Sequence, residues 1–165
     1  MTSSPLWAPW RSEYVTADKT NVPQGACFIC QYLGESTDAK NLIVRRNAQT
    51  LVIMNRYPYN NGHLLIAPLA HKATLAELKD AELLEIQKQL TLMCETLQAV
   101  IKPEGFNIGV NLGKVAGAGL PGHIHWHIVP RWNGDTNFMS VTADTRVIVQ
   151  SLEELYRLLT EHLAK

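Results

Sequence analysis

The 165-residue sequence predicts a single α+β domain in which an antiparallel sheet packs against helices on one side. Two observations support this fold class. Short runs of β-forming residues lie between turn residues, and two longer segments carry apolar residues every three or four positions. The sequence lacks the regular βαβ order of a parallel sheet, so the strands are expected to pair antiparallel.

Five segments have the composition of strands. The runs at 42–44 and 50–54 are rich in β-forming residues. The Asn-Asn-Gly sequence at 60–62 is a strong turn signal, and Pro68 ends the strand that follows it. The predicted strands are 42–44, 50–54, 63–67, 106–111 and 123–129.

Two helices are predicted from their apolar stripes. The longer helix covers roughly 80–101 and ends before Pro103 and Gly105. Ser151 and Glu154 have the spacing of a capping box, which places the start of the second helix. The stripes consist of Leu83, Ile86, Leu90, Met93, Leu97 and Ile101 in the long helix, and of Leu152, Leu155, Leu159 and Leu163 in the second.

Charge balance and cysteine count argue against several classes of protein. The formal net charge is zero, which disfavours binding to nucleic acid or to an anionic membrane by bulk charge. No apolar run approaches the ~20 residues of a membrane span, and the N-terminus lacks a signal-peptide pattern. Three cysteines are too few for a disulfide framework, so a reducing cytoplasm is expected. Residues 1–26 are predicted to be an irregular arm, and residues 27–165 the single domain.

Three of the six histidines lie at positions 123, 125 and 127. Because side chains alternate faces along a strand, a strand here places His123, His125 and His127 on one face, about 7 Å from one to the next. Such a face is an exposed histidine-rich surface, a three-histidine metal site or a catalytic site. The glycine-rich segment 113–122 favours catalysis, because such loops turn backbone N–H groups toward phosphate oxygens. Phosphate bound beside imidazoles is therefore expected.

The segment 123–129 resembles the histidine triad motif, His-φ-His-φ-His-φ-φ, of the HIT superfamily of nucleotide hydrolases and transferases. Segment 54–68 is similar to the family's first nucleotide-binding hairpin, and segment 107–117 is similar to its phosphate loop. The flanks 6–11 and 131–138 are most similar to the diadenosine tetraphosphate phosphorylase branch. The resemblance implies the HIT-like fold, with about five strands and one long helix packed on them.

The resemblance also implies an enzyme that cleaves dinucleoside polyphosphates at the α-phosphorus through a nucleotidyl-histidine intermediate. His125 matches the nucleophile, and His127 suits a general acid that protonates the leaving oxygen and orients the phosphate. Gly119 stands where many relatives have Ser, Thr or Gln, which leaves phosphorolysis and hydrolysis both open. The predicted substrate contacts are Asn55 for the ribose and Asn111, Gly117, Gly119 and His127 for phosphate.

Cys27 and Cys30 form a second constellation, spaced as Cys-x-x-Cys. A redox pair and two free structural cysteines are the alternatives, although the redox motif normally belongs to a parallel βαβ unit. The resemblance implies structural zinc held by this pair with His71 and His123, and His63 is the alternate fourth ligand. Four protein ligands leave no open position for water, so zinc would support the fold and no metal is needed at the reacting phosphate.

Two other functions stay open: a purine nucleoside phosphoramidase that cleaves AMP–amine bonds, and a non-catalytic nucleotide-binding zinc protein. The intact triad disfavours a pure binder, which has no use for a nucleophile. The tryptophan-rich N-terminal flank and the Gly-Asp-Thr-Asn-Phe sequence at 134–138 favour dinucleotide cleavage. Members of the superfamily usually pair through the long helix and a strand, so the resemblance implies a homodimer.

Overall fold

The computed structural model describes residues 27–136 and 147–165, and it is built around a five-stranded antiparallel sheet. The predicted arm 1–26 lies outside the described residues. Strand neighbours follow the order β1-β2-β3-β5-β4, so β1 and β4 form the edges. The prediction for 50–54 is confirmed, and those for 42–44, 63–67 and 106–111 are found with ends shifted by one or two residues. The strands are β1 Ile43–Arg46, β2 Thr50–Met54, β3 Leu64–Pro68, β4 Gly105–Val110 and β5 Trp126–Arg131.

Helices cover both faces of this sheet. The two helices with apolar stripes are confirmed, and the Ser151 side chain accepts a hydrogen bond from the Glu154 backbone as the capping box predicts. Two short helices that the sequence does not predict precede β1. None of the described helices combines the length and apolarity needed to cross a membrane. The helices are α1 Phe28–Gly34, α2 Asp38–Asn41, α3 Asp80–Ile101 and α4 Leu152–Leu163, and Leu75–Glu77 and Lys114–Ala116 form single 3₁₀ turns.

Each face of the sheet buries its own apolar cluster. Val52 and Met54 point to the side of α3 and α4, whereas Leu51 and Ile53 point to the side of α1. Because side chains alternate between the two faces along a strand, this one short strand contributes residues to both cores. The sequence predicts helices on one side of the sheet only. That prediction is wrong, because α1 packs on the second face, where its Ile29 is fully buried.

The fifth strand begins later than the sequence predicts. β5 starts at Trp126, so His127 alone among the three alternating histidines lies in a strand. The register that pairs β3 with β5 would next place His125 opposite Ala67 and then Ile124 opposite Pro68. Pro68 has no N–H to donate to the ladder, and the Ile124 N–H donates to the Lys72 carbonyl instead. His123 and His125 lie in the loop before β5, and the prediction of one shared strand face is wrong for these two residues.

Candidate active site and metal centre

His127 lies on the face of the sheet that α1 partly covers. It is directly opposite Leu65 on β3 and Gly109 on β4, and Leu65 is opposite Ile53 on β2. Side chains directly opposite each other in antiparallel strands share a face. Ile53 and Leu65 are therefore apolar neighbours of His127 on this face, and both are buried, at 2% and 5% exposed.

His125 is oriented by the backbone of the preceding metal-ligand candidate. Its Nδ1 lies 2.8 Å from the carbonyl oxygen of His123. Because a carbonyl can only accept, Nδ1 carries the proton and Nε2 keeps its lone pair. A neutral imidazole in this form can attack an electrophilic phosphorus through Nε2.

The ring of His127 stands beside that of His125, with the two centroids 5.1 Å apart. Its Nδ1 lies 2.9 Å from Nε2 of His63. Its Nε2 is buried and has no hydrogen-bond partner among the described residues, so a bound polar ligand is the natural partner. Burial, and to a lesser extent the neighbouring His125, lower the pKa of His127 to about 4, so the ring is neutral at pH 7. Transfer of its proton to a leaving group stays a prediction.

Asn55 follows β2 and supports the turn that leads to β3. Its Oδ1 accepts a hydrogen bond from the Tyr57 N–H at 2.9 Å, and its Nδ2 lies 3.2 Å from Nδ1 of His63. The amide of Asn55 therefore contributes to the site through His63. Ribose binding by Asn55 stays a prediction.

The predicted phosphate loop follows β4. Gly113 and Gly117 have φ angles of 83° and 91°, in the left-handed region that glycine adopts with little strain. The side-chain amide of Asn111 reaches the carbonyl of Gly117 at 3.5 Å across the loop. No described atom lies within 4 Å of the position that a Cβ on Gly119 would occupy, so the relatives' larger side chains would fit there. Phosphate contacts by these residues stay predictions.

The four predicted metal ligands converge beside the loop that carries His125. One donor atom from each of Cys27, Cys30, His71 and His123 lies within 4.8 Å of the other three, so this cluster could hold a metal ion. Sγ of Cys27 is 3.2 Å from Nδ1 of His123, and Sγ of Cys30 is 3.2 Å from Nδ1 of His71. Two sulfurs and two imidazole nitrogens are a donor set that Zn²⁺ prefers in closed structural sites.

Hydrogen bonds around the cluster prepare these side chains for a metal. His123 Nε2 is 2.9 Å from the carbonyl of Pro68, so Nε2 carries the proton and the Nδ1 lone pair faces Cys27. Burial is the main reason why the pKa of His123 is lowered, and this favours the neutral form that binds metals. Cys27 caps α1, where its sulfur accepts from the Cys30 N–H at 3.4 Å. The donor set and its surroundings therefore fit a tetrahedral metal.

The sequence gives His63 only as the alternate fourth metal ligand, whereas the structure places it beside His127. It is 2% exposed and contacts His127, and it is not a member of the metal cluster. Strand alternation contains the signal that would have located it. His63 immediately precedes β3 and is two residues from Leu65, whose side chain lies on the same face as His127.

A family model described as "HIT domain" matches residues 36–134. The chain is 35% identical over 164 residues to an AP-4-A phosphorylase of Mycobacterium tuberculosis, covering 97% of this chain and 84% of the relative. It is 29% identical over 111 residues to adenosine 5'-monophosphoramidase hnt1 of Schizosaccharomyces pombe, covering 66% and 76%. A solved zinc-bound histidine triad family protein from Mycobacterium smegmatis superposes with a TM-score of 0.68 at 27% identity, covering 84% and 94%.

The family match spans the sheet, the long helix and the triad. Together with the identity to the phosphorylase over almost the whole chain, it identifies the architecture around His125 and His127. The chain belongs to the histidine triad (HIT) family.

Proposed function

We propose that this chain is a HIT-family enzyme that cleaves dinucleoside polyphosphates, such as diadenosine tetraphosphate, at the α-phosphate. The observation that carries the proposal is the bond from His125 Nδ1 to the carbonyl of His123, which leaves Nε2 as a nucleophile. The buried Nε2 of His127 supplies a hydrogen-bond donor beside it. The 35% identity to an AP-4-A phosphorylase supports the choice of substrate.

In the first step, the lone pair of His125 Nε2 forms a bond to the α-phosphorus. The bond from phosphorus to the bridging oxygen breaks, and its electron pair leaves with the departing nucleotide, which is ATP when diadenosine tetraphosphate is the substrate. The His125 Nδ1–H remains hydrogen-bonded to the carbonyl of His123, and this bond stabilises the cationic ring of the nucleotidyl-histidine. The His127 Nε2–H donates to the oxygen on which charge develops.

In the second step, an acceptor oxygen attacks the same phosphorus and the P–N bond breaks. The electron pair returns to Nε2 of His125. Inorganic phosphate as acceptor gives ADP, whereas water gives AMP and releases one proton to solvent. The loop around Gly117 is proposed to hold the phosphate groups through backbone N–H groups in both steps.

Product analysis of diadenosine tetraphosphate turnover tests this proposal. ATP and ADP in the presence of inorganic phosphate would establish phosphorolysis, and ATP and AMP would establish hydrolysis. No turnover under either condition would contradict the proposal. The transfer to phosphate is a nucleotidyl transfer, so the same experiment decides between a nucleotidyltransferase and a hydrolase.

A purine nucleoside phosphoramidase is the second candidate function, because the chain is 29% identical to a monophosphoramidase over 66% of its length. AMP released from an AMP-amide, without action on the dinucleotide, would favour it. Nucleotide binding with no turnover of either substrate would favour a non-catalytic zinc protein.

We infer that Cys27, Cys30, His71 and His123 hold structural zinc. The support is the convergence of four ligand atoms and the zinc-bound state of the solved relative from M. smegmatis. Bound there, zinc would link α1 to the loop before β5. The chemistry it supplies is structural, since four protein ligands complete a tetrahedral site.

A homodimer and a cytoplasmic location complete the proposal. The edge strand β4 carries Ile108, which is 49% exposed, and an exposed apolar residue on a sheet edge favours a partner. The three cysteines are free, as is usual in a reducing compartment.

A further inference from the structure

We propose that His63 is a positioning residue that fixes the proton of His127 on Nε2, and that Asp135 holds the turn on which this depends. The inference rests on the proposed function, because it assigns how the hydrogen-bond donor of that reaction is oriented. It adds two residues outside the triad, one from the turn before β3 and one from the segment after β5.

The direction of the hydrogen bonds is set by a backbone group. The Tyr59 N–H donates to Nδ1 of His63 at 3.0 Å, and a backbone N–H has no other role than donor. The Asn55 amide agrees, since its oxygen accepts from Tyr57 and its nitrogen therefore faces the same Nδ1 at 3.2 Å. Nδ1 of His63 is thus an acceptor, and the proton of the neutral ring is on Nε2.

This proton determines the state of the next ring. His63 Nε2 is 2.9 Å from His127 Nδ1, so His63 donates and His127 accepts. The proton of a neutral His127 must then be on Nε2, the buried atom that has no partner among residues 27–136 and 147–165. Without His63, the two tautomers of His127 would compete, and only one presents a donor to the substrate.

The turn that carries Tyr59 and His63 is clamped from the other end of β5. Asp135 Oδ2 accepts from the Asn60 side-chain amide at 2.8 Å, and Arg131 binds both carboxylate oxygens of Asp135 at 2.6 and 2.8 Å. The Asn60 carbonyl in turn accepts from the His63 N–H at 3.2 Å. The Asp135 side chain is 9% exposed, and the guanidinium of Arg131 holds its pKa well below the usual range, so the clamp stays charged.

The tautomer of His127 can be measured without any substrate. In protein labelled with ¹⁵N at histidine, protonated and unprotonated ring nitrogens of a neutral imidazole have separate signals. In wild type, His127 is expected as the Nε2–H form. In His63→Leu, a signal from the Nδ1–H form is expected to appear, whereas His63→Gln keeps a donor amide and is expected to keep the wild-type form. An unchanged His127 tautomer in His63→Leu would overturn the proposal.

A kinetic series tests the consequence. AMP esters with leaving groups of increasing basicity develop increasing charge on the leaving oxygen, so loss of an oriented donor costs more for poor leaving groups. His63→Leu is expected to lose about 10- to 100-fold in kcat for the poorest leaving group, little for the best, and His63→Gln is expected to recover most of the loss. A loss in His63→Leu that is uniform across the series would overturn the positioning role.

Asp135→Asn keeps the experiment decisive if His63→Leu does not fold. It is expected to show the same leaving-group dependence with smaller amplitude. The matched control is Asp38→Asn, which weakens another arginine–aspartate pair, Arg46 with Asp38 at 2.8 Å, on an edge strand far from β5 in the sheet order. Equal leaving-group dependence in both aspartate variants would contradict the clamp. Failure of the proposed function would appear as absent turnover in wild type, with the tautomer result still readable.

Discussion

Backbone groups determine which ring nitrogen carries the proton in three histidines of this site. The His123 carbonyl places the proton of His125 on Nδ1, the Pro68 carbonyl places that of His123 on Nε2, and the Tyr59 N–H places that of His63 on Nε2. Main-chain groups do not titrate near neutral pH. Three side chains of the same type therefore present different ring atoms: a free Nε2 lone pair on His125, a free Nδ1 lone pair on His123 and an Nε2–H on His63.

Replacing His125 with Ala should abolish turnover and leave nucleotide binding largely intact. Only this residue forms the covalent bond, and its loss should raise the barrier by at least ~3 kcal/mol, which corresponds to more than about a hundredfold in rate. Steady-state turnover and equilibrium binding of a nonhydrolysable dinucleotide measure the two effects. A variant that kept more than about a hundredth of the wild-type rate would refute the assignment of the nucleophile.

His127 should make stability depend on pH in acid. Its pKa is lowered from 6.5 to about 4 by burial, so the unfolded chain binds more protons between these values. The share of the free energy of unfolding that depends on a neutral His127 is complete above pH 6.5, and it is lost as the pH falls toward 4. Between pH 7 and 5 the wild type should lose roughly 1–2 kcal/mol more than His127→Gln, since 1.4 kcal/mol corresponds to one pKa unit. Urea unfolding of both proteins at the two pH values measures this difference, and parallel losses would contradict it.

The sequence predicts the four residues of the candidate metal cluster and the triad, but it does not predict the residues that support them. Cys27, Cys30, His71 and His123 stand out because such residue types are scarce and have motif spacing. The partner of His63 is 64 residues away, and Asn60 and Asp135 are 75 residues apart. Strand alternation places His63 on the correct face, but no local pattern identifies its partner His127 or the Asn60–Asp135 contact, because both depend on how distant segments pack together.

At the scale of elements, α1 connects the candidate metal cluster to the sheet. The guanidinium of Arg46 on β1 donates to the carbonyls of Tyr32 at 2.7 Å and Glu35 at 2.9 Å, at the C-terminal end of α1. The Tyr32 carbonyl also accepts from the Glu35 N–H at 3.3 Å, and Arg46 adds a charged donor at this end of the helix, where the last carbonyls lack an i+4 partner. The helix that carries Cys27 and Cys30 is thus attached by its own packing and by one arginine, whether or not a metal is bound.

Arg46→Met should weaken zinc binding and lower the free energy of unfolding by about 1–3 kcal/mol, because two part-buried carbonyls lose a charged donor. Elemental analysis of protein purified without chelator should find about one zinc per wild-type chain, and competition with a chelator should show weaker retention in the variant. Arg157→Met, which removes only an exposed pair with Glu161 on α4, is the matched control. Zinc retained in a Cys27→Ser, Cys30→Ser double variant would contradict the metal assignment itself.

Gly62 closes the turn before β3 under two constraints. Its φ angle is 76°, and a Cβ there would lie 2.7 Å from Cδ1 of Ile101 and 3.0 Å from Cγ of Pro130. Gly62→Ala should therefore destabilise the fold by about 1–3 kcal/mol and displace the adjacent His63. Thermal unfolding should show no comparable loss in Gly34→Ala, where no described atom lies within 4 Å. Equal stability of Gly62→Ala and wild type would contradict this account.

Sequence periodicity predicts α3, α4 and β2 because each is long or regular enough to display its period. The seven residues of α1 make barely two turns, and its N-cap is a cysteine, which is not among the usual capping residues. β5 begins opposite Ile66 although β3 continues to Pro68, and the Ile124 N–H just before β5 donates to the Lys72 carbonyl. Both features are set by tertiary contacts that periodicity does not contain.

At the scale of the whole molecule, the larger apolar core and the candidate site residues lie on opposite faces of the sheet. The cluster under α3 and α4 is the larger of the two, whereas the opposite face carries His127, the metal cluster and α1. The loop before β5 joins the two sides, because the Ile124 N–H donates to the Lys72 carbonyl at 2.6 Å and Lys72 pairs with Glu82 of α3 at 2.5 Å. These two contacts connect the loop that carries His125 to the long helix.

The proposed homodimer should depend on the edge strand β4. The side chain of Ile108 is 49% exposed there, although it lies opposite Ile128, which is fully buried, so a partner at this edge would extend an existing apolar row. Ile108→Asp should shift the protein from dimer to monomer, because a desolvated carboxylate would face the partner. Sedimentation velocity measures the change, and Val149→Asp, at a position that is 82% exposed in the segment before α4, is the control that should stay dimeric. A monomeric wild type, or a dimer that survives Ile108→Asp, would show that this edge is not the interface.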